Sequence, residues 1–377
     1  MARRIGRAGS VPRLDRSTNH HTYRKLVGLR GLAILRPSAN TRRELEAAAI
    51  AILASVAIGS LLMLVVGVSP GRVWWAMLER TASNPYVFGE LLYKATGLAL
   101  CGLAVALALD AGLFNIGAEG QLTAGVLACS TLGAALPAGT PAIVAIPLCL
   151  AAAAAAGAAV GALIGGLRAT RGAHEVITSI MLNAIIAGVA LWIGNELVFR
   201  NGTTRGDTIA PGARLSPLGL GGSAANVSLV IAIVAIVVMW WLRERTTWGR
   251  AWRAVGQEPA AARSVGISVE RVQILVMAGS GALVGLAAAN FVMGDKHAFE
   301  EGLGRGTGLL GISVALLGRT HPIGVGVAAV LLGFLSAAGL EVGDLVPKEL
   351  TEMLQGVVVL AVAAAGPWVA SRAQVTA

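Results

Sequence analysis

From Pro141 to Leu167 the chain reads PAIVAIPLCLAAAAAAGAAVGALIGGL, 27 residues with neither charge nor side-chain hydroxyl or amide. A helix of that length runs about 40 Å, longer than the roughly 30 Å hydrocarbon core of a bilayer. Further apolar runs occur at 47–68, 91–109, 121–137, 176–199, 226–242, 272–294, 323–340 and 352–370. The composition agrees: 55% of the 377 residues are apolar and 13% charged, against averages of about 45–50% and about 25% for soluble proteins. Glycine is high at 49 residues while aromatics are 5%, so small residues that let helices approach closely are favoured over bulky core fillers. The expectation is an all-α, polytopic membrane bundle. A further run, Gly308 to Gly318, is too short to assign by length. Counting it gives ten transmembrane segments; as a re-entrant half helix it leaves nine and puts the C-terminus outside.

The net charge of +10 is not a field for nucleic acid, because residues 1–46 hold eleven Lys or Arg against three acids. That leaves +2 on the other 331 residues. Three parts follow: a basic cytoplasmic tail at 1–46, a transmembrane domain at 47–370 and a short tail at 371–377. With the basic tail inside, the inner segments carry Arg168 and Arg171, six arginines from Arg243 to Arg271, Arg319 and Arg372, and the outer loops carry fewer. This is the asymmetry that retains Lys and Arg on the cytoplasmic side. The tail is too long and basic before its first apolar stretch for a secretory signal, so an uncleaved, cytoplasmic N-terminus is expected. The main expectation is a loosely ordered tail; its stretch from Tyr23 to Leu35, which mixes bases with aliphatics, offers the alternative of lying on an anionic inner leaflet.

Trp74, Trp75, Trp240, Trp241 and Trp368 flank apolar runs, where amphipathic rings prefer the headgroup level. Gly157, Gly161 and Gly165 repeat every four residues, as does the pair Gly281 and Gly285, making flat strips for a neighbouring helix. Cys101, Cys129 and Cys149 lie inside apolar runs without paired spacing, so neither disulfides nor metal sites are indicated.

The chain contains no Gly-Lys pair, hence no Gly-rich phosphate loop ending in Lys. His174 and Glu175 begin like a zinc helix, but Thr178 stands where the second His is needed. The five His are scattered, without the clustering of a membrane hydrolase. No catalytic residue, metal or bound cofactor is expected.

Three interruptions of the apolar pattern carry the functional information. GLFNIGAEGQ (Gly112–Gln121) puts Asn115, Glu119 and Gln121 between runs two and three with three glycines. Polar groups at membrane depth tend to face a bundle interior or a wet cavity, and glycines let the backbone unwind there. HEVITSIMLNAII (His174–Ile186) places Asn183 inside the next-but-one run, available to a neighbouring helix or to a solute. The loop 243–271 contains RAVGQEPAAARSVGI (Arg253–Ile267), where Pro259 suits a first helical position and Gly266 a C′ position. A two-turn helix over about 259–265 is predicted, with Ala260, Ala261 and Ala262 as a smooth face between Glu258 and Arg263, suited to docking in a partner's groove. A second Gly-rich break, Gly302 to Gly308, matches the first in position within the other half, which suggests inverted five-helix repeats. These features describe a transporter-like bundle with a cytoplasmic docking loop and leave the solute open.

GLFNIGAEGQ, HEVITSIMLN, RAVGQEPAAARSVGI and GISVALLGRTHPIGVGVAAVLLG (Gly311–Gly333) together resemble the permease subunits of bacterial ABC importers, simple-sugar and nucleoside branch, over about residues 45–368. The NIGAEGQ segment is closer to the nucleoside permeases. The resemblance implies inward transport of a nucleoside or simple sugar by alternating access across the cell inner membrane. It implies a separate ATP-binding subunit that uses ATP and Mg, a second permease subunit, and an external solute-binding lipoprotein. It makes Glu258 to Ala262 with Gly266 the ATPase-coupling helix, and Asn115, Glu119, Gln121 and Asn183 the substrate-path candidates. Ser313 stands where the family pattern usually has Ala, and the basic tail lies outside the resemblance. A secondary transporter or channel without an ATPase is the alternative; Asp110 and Glu119 are its candidate coupling carboxylates.

Overall fold

A computed structural model describes residues 53, 56–199, 203–347, 349–350, 352–357 and 360. The basic tail with its Tyr23–Leu35 stretch, most of the last apolar run and the 371–377 tail lie outside the described residues. In chain order the helices are α1 (Val56–Val65), α2 (Pro70–Ser83), α3 (Pro85–Asp110), α4 (Ala118–Ala135), α5 (Ala142–Arg171) and α6 (Glu175–Ile193). They continue as α7 (Ser228–Arg245), α8 (Thr247–Gln257), α9 (Pro259–Ser264), α10 (Val269–Leu286), α11 (Thr307–Leu317) and α12 (Pro322–Glu341). The only strand-like pairings among the described residues are isolated bridges such as Phe199 with Gly206. The all-α expectation holds.

The helix α3 is the axis of the bundle. Asn84 caps it by accepting from the Tyr86 N–H, and Pro85 occupies its first turn, where a missing N–H costs nothing. Its membrane-length window is 89% buried, against 11% for α6, so α3 is core and α6 is rim. The tightest pairing joins α5 to α10, where the two predicted glycine strips face each other. A Cβ on Gly157 would fall on the Gly281 carbonyl, one on Gly161 on the Met277 carbonyl, and one on Gly285 on the Ala153 carbonyl. The backbones are therefore in direct contact, the arrangement that small residues allow between membrane helices.

Among the described residues, five helices are long and apolar enough to cross a membrane alone. Other crossings are composite. The helix α11, with 11 residues, spans only about 16 Å, half a bilayer. It is preceded by Gly302, Gly304 and Gly306, all at positive φ between 75° and 87°, conformations that glycine alone adopts without strain. The chain re-enters the bundle through this segment and completes the crossing as α11. Likewise α4 starts inside the bundle after the 112–117 break. Against α3, α11 runs inward: Gly311 packs on Cys101 and Thr320 bonds Asp110. Against α10, α4 runs outward, with Gly125 on Gly285 and the Ala210 N–H donating to the Gly133 carbonyl. The two broken crossings thus point opposite ways, as inverted halves require.

One element was unforeseen. α1 and α2 are bent by 118° at a break of a few residues, and α2 turns Val73, Met77 and Thr81 inward. Arg80 ties it to Asp344 beyond α12 at 2.7 Å. Described parts of the segments read as outer meet one another: Glu90 accepts from the Ala224 N–H at 3.0 Å, and the Gly206 N–H bonds the Phe299 carbonyl at 2.8 Å. Among the described residues, the inner segments carrying Arg243 and Arg319 meet at the Asp110 end, where Arg243 and Thr320 bond Asp110.

Candidate functional site

The two glycine breaks touch. The Gly306 N–H, at the start of α11, donates to Glu119 Oε1 at 2.6 Å, and a Cβ on Gly308 would lie 2.6 Å from the Glu119 backbone nitrogen. Two helix N-termini therefore converge on one carboxylate, which their orphan N–H groups and dipoles favour. Glu119 Oε2 is buried without a hydrogen-bond partner. The other candidates have different surroundings. Asn115 and Gln121 are 0% exposed. Asn115 Nδ2 donates to Gln121 Oε1 at 2.8 Å and to Ser280 Oγ at 2.7 Å, and Ser280 Oγ donates to the Ala104 carbonyl at 2.6 Å. Asn183 accepts from the Gly120 N–H at 2.8 Å and donates to the Ile116 carbonyl at 2.9 Å. These three side chains satisfy the unwound backbone and each other, and so hold the break in shape.

On the Glu90 side of the Gly302–Thr307 segment, the side read as outer from the sequence, lies a cleft of about 880 Å³. Its floor is Leu98, Phe291, Gly304 and Thr307; a Cβ on Gly304 would lie 3.0 Å from Leu122, so the floor is a single layer of backbone over α4. Its walls carry Tyr86, Glu90, Tyr93, Lys94, Asp295, Lys296 and Arg305. Tyr93 donates to Asp295 Oδ2 at 3.0 Å and meets Phe291 edge to face at 5.8 Å. Its lining acids, Glu90, Asp295 and Glu352, balance its bases, Lys94, Lys296 and Arg305. Behind the wall, Ser228 Oγ and Asn226 Nδ2 donate to Asn290 Oδ1 at 2.9 and 3.2 Å, and Asn290 Nδ2 donates to the Tyr93 carbonyl at 3.1 Å. This fixes the π-helical turn Ala289–Lys296 that bears Asp295.

At the opposite end α9 stands where the sequence puts it. Glu258 caps it by accepting from the Ala260 N–H at 3.4 Å, Pro259 fills the first turn, and Gly266 closes it at φ 87°. The Ile267 N–H bonds the Ala262 carbonyl at 3.0 Å. Ala262 is buried, anchoring the helix, while Pro259, Ala260, Ala261 and Val265 face outward. The amphipathic α8, with Trp252 and Val255 inward, seats this helix on the bundle.

A transmembrane bundle with breaks at mid-depth, one polar cleft and one projecting helix is a transporter's outline, and comparison with known proteins gives it a family. The family described as "branched-chain amino acid transport system / permease component" matches residues 87–363, about three quarters of the chain. This chain is a permease of that family. It is a multi-pass membrane transport subunit. The permease is 35% identical to a guanosine ABC transporter permease protein of Bacillus subtilis over 320 residues, covering 83% of this chain and 91% of that one. It is 31% identical to a nucleoside ABC transporter permease protein of Lactococcus lactis, covering 86% and 92%. A glucose ABC transporter permease protein of Haloferax volcanii is also 31% identical, covering 82% and 84%.

The permease's cleft residues were not singled out by its sequence. Glu90 and Lys94 sit one helical turn apart at the start of α3, and Asp295 at the end of the α10 π-turn. The available signal was charge at the margin of an apolar run, which ordinary interfacial residues share.

Proposed function

We propose that this chain is the transmembrane permease subunit of an ATP-driven importer that carries a nucleoside into the cytoplasm by alternating access. A separate subunit binds ATP and Mg and hydrolyses the ATP; a second permease subunit, identical or related, faces a second ATPase; an external lipoprotein delivers solute. The N-terminal tail lies in the cytoplasm and the bundle in the cell inner membrane. The observation that carries the reading is the placing of a polar cleft and a rigid projecting helix at the two ends of α3. One end is suited to receive solute and the other to receive a mechanical input.

The nucleoside assignment draws on the similarity to guanosine and nucleoside permeases. The cleft supports it: near-cancelling charges with aromatic edges from Tyr86, Tyr93 and Phe291 suit an uncharged, hydroxylated solute with a flat ring. Glu119, beneath the cleft floor, is the carboxylate where α4 and α11 meet. Asn115, Gln121 and Asn183 act on the path through the shape of the break. Each half of the cycle then needs only rigid motion of helices around this point.

Competition separates the solute classes. Uptake of labelled guanosine by cells expressing the complete transporter should be suppressed by excess unlabelled nucleosides and left unchanged by equal glucose. Absence of guanosine uptake, with labelled glucose carried by the same cells, would assign the sugar branch instead.

A further inference from the structure

Asp110 ends α3 at the docking side with its side chain only 10% exposed. A carboxylate that deep needs partners, and those it has come from two other parts of the chain. Arg243, at the end of α7, donates from Nε at 2.6 Å and from Nη2 at 3.4 Å. Thr320, in the turn between α11 and α12, donates from Oγ1 at 2.7 Å. That turn holds Arg319 and Thr320 at φ 52° and 57°, a left-handed conformation unfavourable for a β-branched residue. The Asp110 contact is one of the interactions that holds it.

The docking helix leads to the same point. Thr246 accepts from the Gly249 N–H at 3.0 Å to start α8, and Arg253 Nη2 donates to the Arg243 carbonyl at 3.0 Å. At the end of α8, a Cβ on Gly256 would lie 2.8 Å from the Gly112 nitrogen, so the chain three residues before α9 bears on the chain two residues past Asp110. From this point α11 runs as a single 11-residue rod to Gly306, which is bonded to Glu119, and Thr307, which forms the cleft floor. Along the way α11 lies flush on α3, with Gly311 against Cys101 and Val314 against Gly102. This is the kind of smooth contact along which packed helices can shear.

We propose that Asp110 is the pin through which movement of the docking helix is passed to α11 and so to the cleft floor. It is a positioning residue, acting through Arg243 and Thr320 and not on the solute. The proposal rests on the importer reading above, because it presumes an ATPase that moves α9.

The test places a reporter at the far end of the rod. In the intact transporter with its ATPase partner, Thr307→Cys is labelled from the outer side by a membrane-impermeant maleimide; the three natural cysteines are buried. Labelling is compared without nucleotide and with ATP trapped by vanadate. With Asp110 intact, trapping should change the labelling rate at least several-fold. Adding Asp110→Asn, or Thr320→Val, which removes only the hydroxyl donor, should abolish that change. The ratio is internal to each protein, so it is independent of expression, and if Asp110→Asn does not fold, Thr320→Val decides. A full nucleotide response in either folded variant overturns the pin. No response with Asp110 and Thr320 both intact would instead refute the importer reading beneath it.

Discussion

Gly157→Leu should remove folded permease from the membrane, whereas Gly166→Leu, nine residues along the same helix, should leave its yield near that of the natural chain. At position 157 even a Cβ would collide with the Gly281 carbonyl, and Gly285 N lies 3.0 Å from the same point. A leucine there forces α5 and α10 apart along the whole strip, and the lost contacts at Gly161 and Gly285 follow. Overpacking of a tight core costs about 1–3 kcal/mol or more per site, and here backbone, which cannot rotate away, is the obstacle. Total stability of a folded domain is about 5–15 kcal/mol, so displacement of this central pair is enough to lose the fold. Nothing lies within 4 Å of a Cβ at Gly166. Gel filtration of detergent extracts, with the chain fused to a fluorescent reporter, reads both variants; equal monodisperse yield would show that the α5–α10 contact is not close.

Ala261→Arg should leave the folded yield unchanged and abolish solute uptake. Ala261 is exposed on α9 between an anchored Ala262 and an exposed Ala260, so the fold tolerates the larger side chain. A groove shaped for a smooth alanine face does not: an arginine adds about six heavy atoms' bulk and a charge to a contact that must be close to transmit force. The ATPase would then turn over without regard to solute. The measurement is paired, uptake and ATPase rate in the same vesicles. Retained, solute-stimulated turnover with normal uptake would take α9 out of the coupling contact.

Much of this was legible from residue types. Pro259 and Gly266 fixed α9 to within a residue, because both act through local backbone geometry. The glycine strips were legible as flat faces, since spacing alone makes one, but that they face each other came from the tertiary pairing. Features set by tertiary pairing were not legible. The fate of Asn115, Gln121 and Asn183 depended on whether a buried polar group finds its partner in protein or in solute, and both satisfy the same physical demand. That Glu119 meets Gly306 depends on tertiary pairing of residues 187 apart, which no local pattern encodes. The same holds for Asp110, whose carboxylate is an equally good proton carrier or ion-pair partner until Arg243 is seen beside it. With that pairing, Glu119 is left as the one carboxylate at mid-depth that the ATPase-free alternative could use.

The most direct test is accumulation of labelled nucleoside in vesicles containing this permease, its ATPase subunit and the solute-binding lipoprotein. The account predicts concentrative uptake that needs ATP and stops when the ATPase subunit is replaced by a hydrolysis-deficient variant. Uptake continuing at the same rate with that variant would contradict it.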